Sequence, residues 1–295
     1  MEPRRLPVAI ILTGFLVFLS NPALARSPKA VENTPVYYLS LGTSLAAGVQ
    51  ADPVTGESIV TDVSYPGILA ETLGEDIKKL RHVNLGCPGE TSDSFIDGGK
   101  CTYPHGSQLD EALNFLHAHG KFTGLITIDL GANDVLSCVS GTEIYPACFQ
   151  VKVTQLSMNL QYVLGSLREA AGPDVPIVGM NYYNPLLALL LQYPDLAPEL
   201  GPYLIWLQGQ LNDALQTVYA GNGVPVADVA GTFMSGSLDD NNLNGMPDSI
   251  ELLCAWTWMC KFQNIHPNEI GYEAIAAAFA AVLPEIPVSE PPRRR

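Results

Sequence analysis

The sequence is short of positive charge: Lys and Arg number 15 against 30 Asp and Glu, for a formal net charge of −15 over 295 residues. So acidic a chain repels phosphate backbones, which argues against nucleic acid as a partner. Charge of either sign is scarce at 15%, while the hydrophobic set reaches 47%, and that balance excludes wholesale disorder. No C-x-x-C spacing occurs among the cysteines, which speaks against a zinc cluster. Histidine is rare as well, with 5 in the chain, so few side chains can act as a base near neutral pH. Beyond the N-terminal segment no apolar run is long enough to cross a bilayer.

What is present starts at the N-terminus. Arg4 and Arg5 precede an apolar run over 8–19, and Ala23-Leu24-Ala25 follows as an A-x-A cleavage signal. Residues 1–25 therefore read as a secretory signal peptide, since the run is too short for a comfortable anchor. The remaining 26–295 are expected to form one exported, soluble, monomeric domain, its core over about 36–283 between polar, Pro-rich ends. The terminal Arg293-Arg294-Arg295 reads as a solvated tail. All six cysteines follow the leader, in three close pairs: Cys87 with Cys101, Cys138 with Cys148, Cys254 with Cys260. Export and local spacing favour a disulfide within each pair, each stabilising by roughly 2–4 kcal/mol.

Five β-like runs, at 36–41, 81–85, 125–130, 176–180 and 224–229, alternate with helical periodicity at 65–73, 109–119, 151–171, 204–219 and 270–282. Within 151–171 the stripe is Val153, Leu156, Leu160, Val163, Leu164 and Leu167. This alternation predicts an α/β fold, one five-stranded parallel sheet with helices on both faces. Sites in such sheets lie at the carboxyl ends of the strands.

The strand ends carry the informative blocks. Gly42-Thr43-Ser44-Leu45 follows the first strand and Gly86-Cys87-Pro88-Gly89-Glu90-Thr91 the second. Gly131-Ala132-Asn133-Asp134 follows the third, and His266-Pro267-Asn268 lies near the C-terminus. In this order the blocks resemble the SGNH, or GDSL-type, family of serine esterases and lipases over 36–282, and most nearly its secreted bacterial branch. The resemblance implies a flavodoxin-like sheet, no catalytic cofactor, and a small-molecule or lipid ester as substrate. It makes Ser44 the nucleophile and His266 the general base. The backbone N–H groups of Ser44 and Gly89 and the amide of Asn133 become the oxyanion donors. The residues support these roles independently: a Ser hydroxyl needs an imidazole to take its proton, and His266 alone precedes a helix at the sheet's active end. His82 falls in a strand, while His105, His117 and His119 suit surface or structural roles.

Two positions depart from the family. Thr43 replaces an acid, and the usual Asp before the histidine is absent, its place taken by Gln263 and Asn264. Asn264 or a backbone carbonyl is expected to orient His266 without supplying charge. A non-catalytic, calcium-stabilised surface-binding homologue is the rival reading that these changes favour.

Residues 240–251 carry a separate pattern. Asp240, Asn242, Asn244, Asp248 and Glu251 fall at positions 1, 3, 5, 9 and 12 of a calcium loop, with Gly245 at 6 and the Met246 carbonyl at 7. The preceding stretch lacks an amphipathic helix, so a lone structural Ca2+ loop is expected rather than a full EF-hand. Finally, the leucine-rich 184–193 reads equally as a cap over an acyl chain or as helix core. The resembled family also includes carbohydrate deacetylases, so a polysaccharide O-deacetylase is the nearest enzymatic alternative to a lipase or esterase.

Overall fold

A computed structural model describes residues 35–140 and 143–286; the leader expected over 1–25, residues 26–34 and the arginine tail lie outside the described residues. The five runs form a parallel sheet of β1 (Val36–Gly42), β2 (Leu80–Asn84), β3 (Thr123–Asp129), β4 (Ile177–Met180) and β5 (Val226–Ala227). Their order is β2-β1-β3-β4-β5, the flavodoxin-like arrangement. Every residue of β3 is buried, as befits a strand covered on both sides. At the edge, β5 is shorter than its run because Asp228 caps the turn Val229–Thr232 and bends the chain away.

Helices α1 (Tyr65–Asp76), α2 (Ser92–Asp97), α3 (Gln108–His119), α4 (Pro146–Ala171), α5 (Ala197–Gly221), α6 (Asp248–Trp256) and α7 (Glu269–Ala280) surround the sheet. α1 and α7 pack together, with Tyr65 and Phe279 stacked at 4.6 Å between ring centroids. α3, α4 and α5 form a second contiguous group, and Leu156, Leu160, Val163, Leu164 and Leu167 of α4 are buried in it. Fully burying one such side chain contributes roughly 1.5–3 kcal/mol. α2 has no apolar periodicity to announce it. It forms because Thr91 and Ser94 cap its first turn reciprocally, a serine variant of the capping box.

The three expected disulfides form, and no cysteine among the described residues is free. The leucine-rich segment divides: Leu187, Ala188, Leu189 and Leu190 enter the core, whereas Pro185 and Leu186 line a cleft above the sheet. The segment is thus helix core in its middle and cleft wall at its start.

Candidate active site

β1 ends on Gly42, whose φ of +133° only glycine adopts readily, and whose added Cβ would lie 2.3 Å from the Asp129 carbonyl oxygen. Thr43 then caps a single helical turn, Ser44–Ala47. Ser44 is its first residue, so its N–H has no partner within the turn. The Tyr272 hydroxyl underpins this turn, donating to the carbonyl of Val49 at 2.6 Å and lying 3.5 Å from that of Ser44.

Asn133 sits in the short helix after β3, Ala132–Leu136. Its side-chain Nδ2 donates to the Glu90 carbonyl at 2.9 Å. A carbonyl only accepts, so this bond fixes which end of the amide is nitrogen and leaves its second N–H for the cleft. Gly89, one residue earlier, turns with φ +77° and does not itself line the cleft. A brace that sequence reading missed ties these blocks together. Gln108 accepts from the Gly42 N–H at 2.6 Å and donates both to the Gly42 carbonyl at 2.9 Å and to the Glu90 carboxylate at 3.0 Å. The Ser94 hydroxyl takes the other Glu90 oxygen at 2.5 Å. Asp134 likewise accepts from the Ser92 hydroxyl at 2.6 Å, pinning α2 to the β3 turn.

His266 has an uncharged partner. Asn264 Oδ1 lies 2.7 Å from His266 Nδ1 and accepts the His266 backbone N–H at 3.1 Å. The Asn264 amide nitrogen donates to the Gly56 carbonyl at 3.3 Å and to Ser58 Oγ at 3.0 Å. The Gly56 contact again fixes the amide, so Nδ1 must carry the proton and Nε2 the lone pair. Gln263 serves the backbone instead, closing the turn Met259–Phe262 with φ +55°. The loop is held from both sides: the Tyr183 hydroxyl donates to the Ile265 carbonyl at 2.5 Å, and the Trp258 N–H to the His266 carbonyl at 3.0 Å. Burial lowers His266 to about 4, because no negative charge offsets its desolvation. His82, also lowered by burial, stacks on Tyr38 at 4.7 Å in the sheet and takes no part.

Ser44, Asn133 and His266 line one narrow cleft that opens to solvent. Most of its other walls are apolar, among them Leu45, Val135, Val139, Phe149, Leu186 and Leu207. The Cys138–Cys148 disulfide braces the hairpin that carries Val139.

Residues 240–251 fold around their acidic ends. Asp240 accepts from the N–H groups of Asn244 at 3.1 Å and Gly245 at 2.8 Å. The Asn242 and Asn244 amides both reach the Glu251 carboxylate, whereas Asp248 is taken by the Asn241 amide at 2.5 Å. Met246 contributes a backbone N–H bonded to Asn244 Oδ1 at 2.9 Å. Glu251 stands in the first turn of α6, with no helix leading in from Leu238. Among the described residues no three His, Cys, Asp or Glu side chains gather at metal-binding distance.

Comparison with known proteins bears on this geometry. No curated protein matches the sequence. An extracellular lipase from Streptomyces rimosus superposes with a TM-score of 0.53 at 17% identity, covering 84% of this chain and 100% of that one. A lipase from a goat rumen metagenome gives 0.52 at 18%, covering 83% and 96%. An acetyl-xylooligosaccharide esterase from Geobacillus gives 0.52 at 15%, covering 85% and 94%. At such identities these likenesses establish the fold. The GDSL-like lipase/acylhydrolase family model matches residues 40–274, a span holding every block described above. By that match the chain belongs to the GDSL-like lipase/acylhydrolase family, hydrolases of ester bonds.

Proposed function

We propose that this protein is an exported carboxylic-ester hydrolase in which Ser44 and His266 work as a pair. His266 Nε2 takes the Ser44 proton as Oγ attacks the ester carbonyl. The Ser44 N–H, the Gly89 N–H and the Asn133 amide then share the oxyanion. Collapse of this intermediate expels the alcohol, which receives the proton from His266. Water activated by the same imidazole releases the acid. Asn264 holds the tautomer and leaves the imidazolium without a counter-charge, so turnover is slower than a carboxylate-supported triad would allow.

One observation carries the reading: serine, asparagine amide and oriented imidazole, from three separate chain segments, open onto one cleft. The apolar walls favour an acyl chain over an acetyl group, hence an esterase or lipase over a polysaccharide deacetylase. Three disulfides and the leader-like 1–25 support export, and one domain over 26–295 acting as a monomer completes the reading. Among the described residues no helix is long and apolar enough to cross a membrane. We also propose a structural calcium ion at 240–251, held by Asp240, Asn242, Asn244, the Met246 carbonyl and Glu251. Asp240 and Glu251 meet in one turn; to bind the ion, the Asn242 and Asn244 amides would release Glu251 and turn their oxygens inward, and Asp248 would leave Asn241 to join them.

The test is turnover of chromogenic esters from acetyl to long-chain by oxidised residues 26–295 with calcium, beside Ser44→Ala. Hydrolysis that rises with chain length and vanishes in Ser44→Ala is expected. Maximal activity on acetyl would move the reading to a deacetylase; equal, negligible rates would favour a binding protein.

A further inference from the structure

The Ser44–His266 mechanism leaves one buried carboxylate without a task. Asp129 ends β3 with no exposed surface and pairs in register with Gly42, two residues before Ser44. Its Oδ1 accepts both the Thr43 N–H at 2.9 Å and the Thr43 hydroxyl at 2.5 Å, and its Oδ2 accepts the Tyr65 hydroxyl at 3.1 Å. The Thr43 hydroxyl in turn lies 3.5 Å from the Leu45 N–H. The residues on either side of Ser44 are thus tied, directly or through one hydroxyl, to a single carboxylate. No ion pair resolved among the described residues involves Asp129. Its titratable neighbours are the phenols of Tyr38, Tyr65, Tyr182, Tyr219 and Tyr272, all pushed upward by burial and therefore neutral.

We propose that Asp129 is a positioning residue for the nucleophile: it supplies from β3 the carboxylate that the Gly-Thr-Ser-Leu block lacks at Thr43, and so fixes the turn that aims Ser44. The inference rests on Ser44 being the nucleophile. Its physical basis is the tolerance of attack geometry, since a displacement of about 1 Å in a reacting group can slow a reaction ~10²-fold. Hydrogen bonds to an ionised acceptor are shorter and stronger than those to a neutral one, so an ionised Asp129 holds Thr43 more tightly.

Burial pushes Asp129 up to about 7. Because the folded value is raised, the ionised group destabilises the fold, and stability falls as pH rises from the ordinary carboxylate range through about 7. Asp129→Asn keeps Oδ1 as an acceptor and removes the charge. Removing the charge should raise stability above about pH 7 whatever the role of Asp129, so a loss of rate without a loss of stability marks a positioning carboxylate.

The experiment follows labelling of Ser44 by a fluorophosphonate between pH 5 and 9 in the oxidised chain, with melting temperatures in parallel. Labelling of the parent should rise through about pH 7. At pH 8 Asp129→Asn should label about tenfold more slowly, lose that rise and melt higher than the parent. Thr43→Val, which puts a methyl group in place of the hydroxyl, should also slow labelling. The exchange Thr43→Asp/Asp129→Thr restores a carboxylate–hydroxyl pair and should recover most of the rate. Asp129→Asn labelling at the parental rate, or slowing that tracks a lowered melting temperature without recovery in the exchange, would overturn the proposal. A parent that labels no faster than Ser44→Ala would overturn the nucleophile assignment itself.

Discussion

Around His266 the supporting groups are uncharged, namely the Asn264 amide, the Tyr183 hydroxyl and the Trp258 N–H, whereas three buried carboxylates, Glu90, Asp129 and Asp134, lie behind Ser44 and Asn133. On the histidine side, desolvation acts unopposed and drives the imidazole down to about 4. On the serine side, burial drives Asp129 up to about 7 and raises Asp134, each held by hydroxyl and backbone donors. On the proposed Ser44–His266 mechanism, the contrast separates two uses of negative charge. One would stabilise an imidazolium, and no carboxylate is placed for it here. The other holds backbone turns in place, and here it is built heavily.

Breaking the serine side should have the larger effects. Asn133→Ala removes the proposed oxyanion donor and the tie to the Glu90 carbonyl, and should lower kcat by ~10²–10³-fold with KM little changed. Gln108→Leu cuts the link between Gly42 and Glu90, and should lower both kcat and the melting temperature, by roughly 1–3 kcal/mol in stability. On the histidine side, Asn264→Asp should accelerate turnover and shift the acidic limb of kcat/KM upward by about 1–2 pH units. The sign follows from the aspartate favouring protonated His266, so protons compete for the base at higher pH. Tyr183→Phe leaves the Ile265 carbonyl unpaired and should cost about 1–3 kcal/mol of stability with a smaller loss of rate. Removing the proposed calcium should have the smallest effect on activity, because no residue of 240–251 lines the cleft; a melting temperature lowered by chelator and restored by calcium is expected.

Much of this was legible in the residues themselves. The apolar runs of β1 and β3 and the stripe of α4 announce sheet and helix because burial enforces their periodicity. Ser44, Asn133 and His266 stand out because glycine turns or a proline mark the ends of their segments. The supporting shell is different. Gln108 follows its helix cap like any polar first-turn residue, and Asp129 reads as the polar end of a strand. Their partners are 66 and 86 residues away at Gly42 and Thr43, so only tertiary contact reveals their tasks. Glu90 had a local signal, lying in the Gly-Glu-Thr step quoted for Gly89, but what its carboxylate holds depends on α3. At the place of the missing acid the residues left Asn264 and a backbone carbonyl as partners for His266; the Asn264 amide contacts choose Asn264, while the left-handed Gln263 closes a turn.

The most direct test is the pH dependence of kcat/KM on one short-chain ester for the parent, Asn264→Asp and Asp129→Asn. Two rises are expected in the parent, near pH 4 from His266 and near pH 7 from Asp129. Asn264→Asp should move only the lower rise, and Asp129→Asn should remove only the upper. A profile that neither substitution alters would contradict the assignment of neutral support to His266 and of charged support to Ser44.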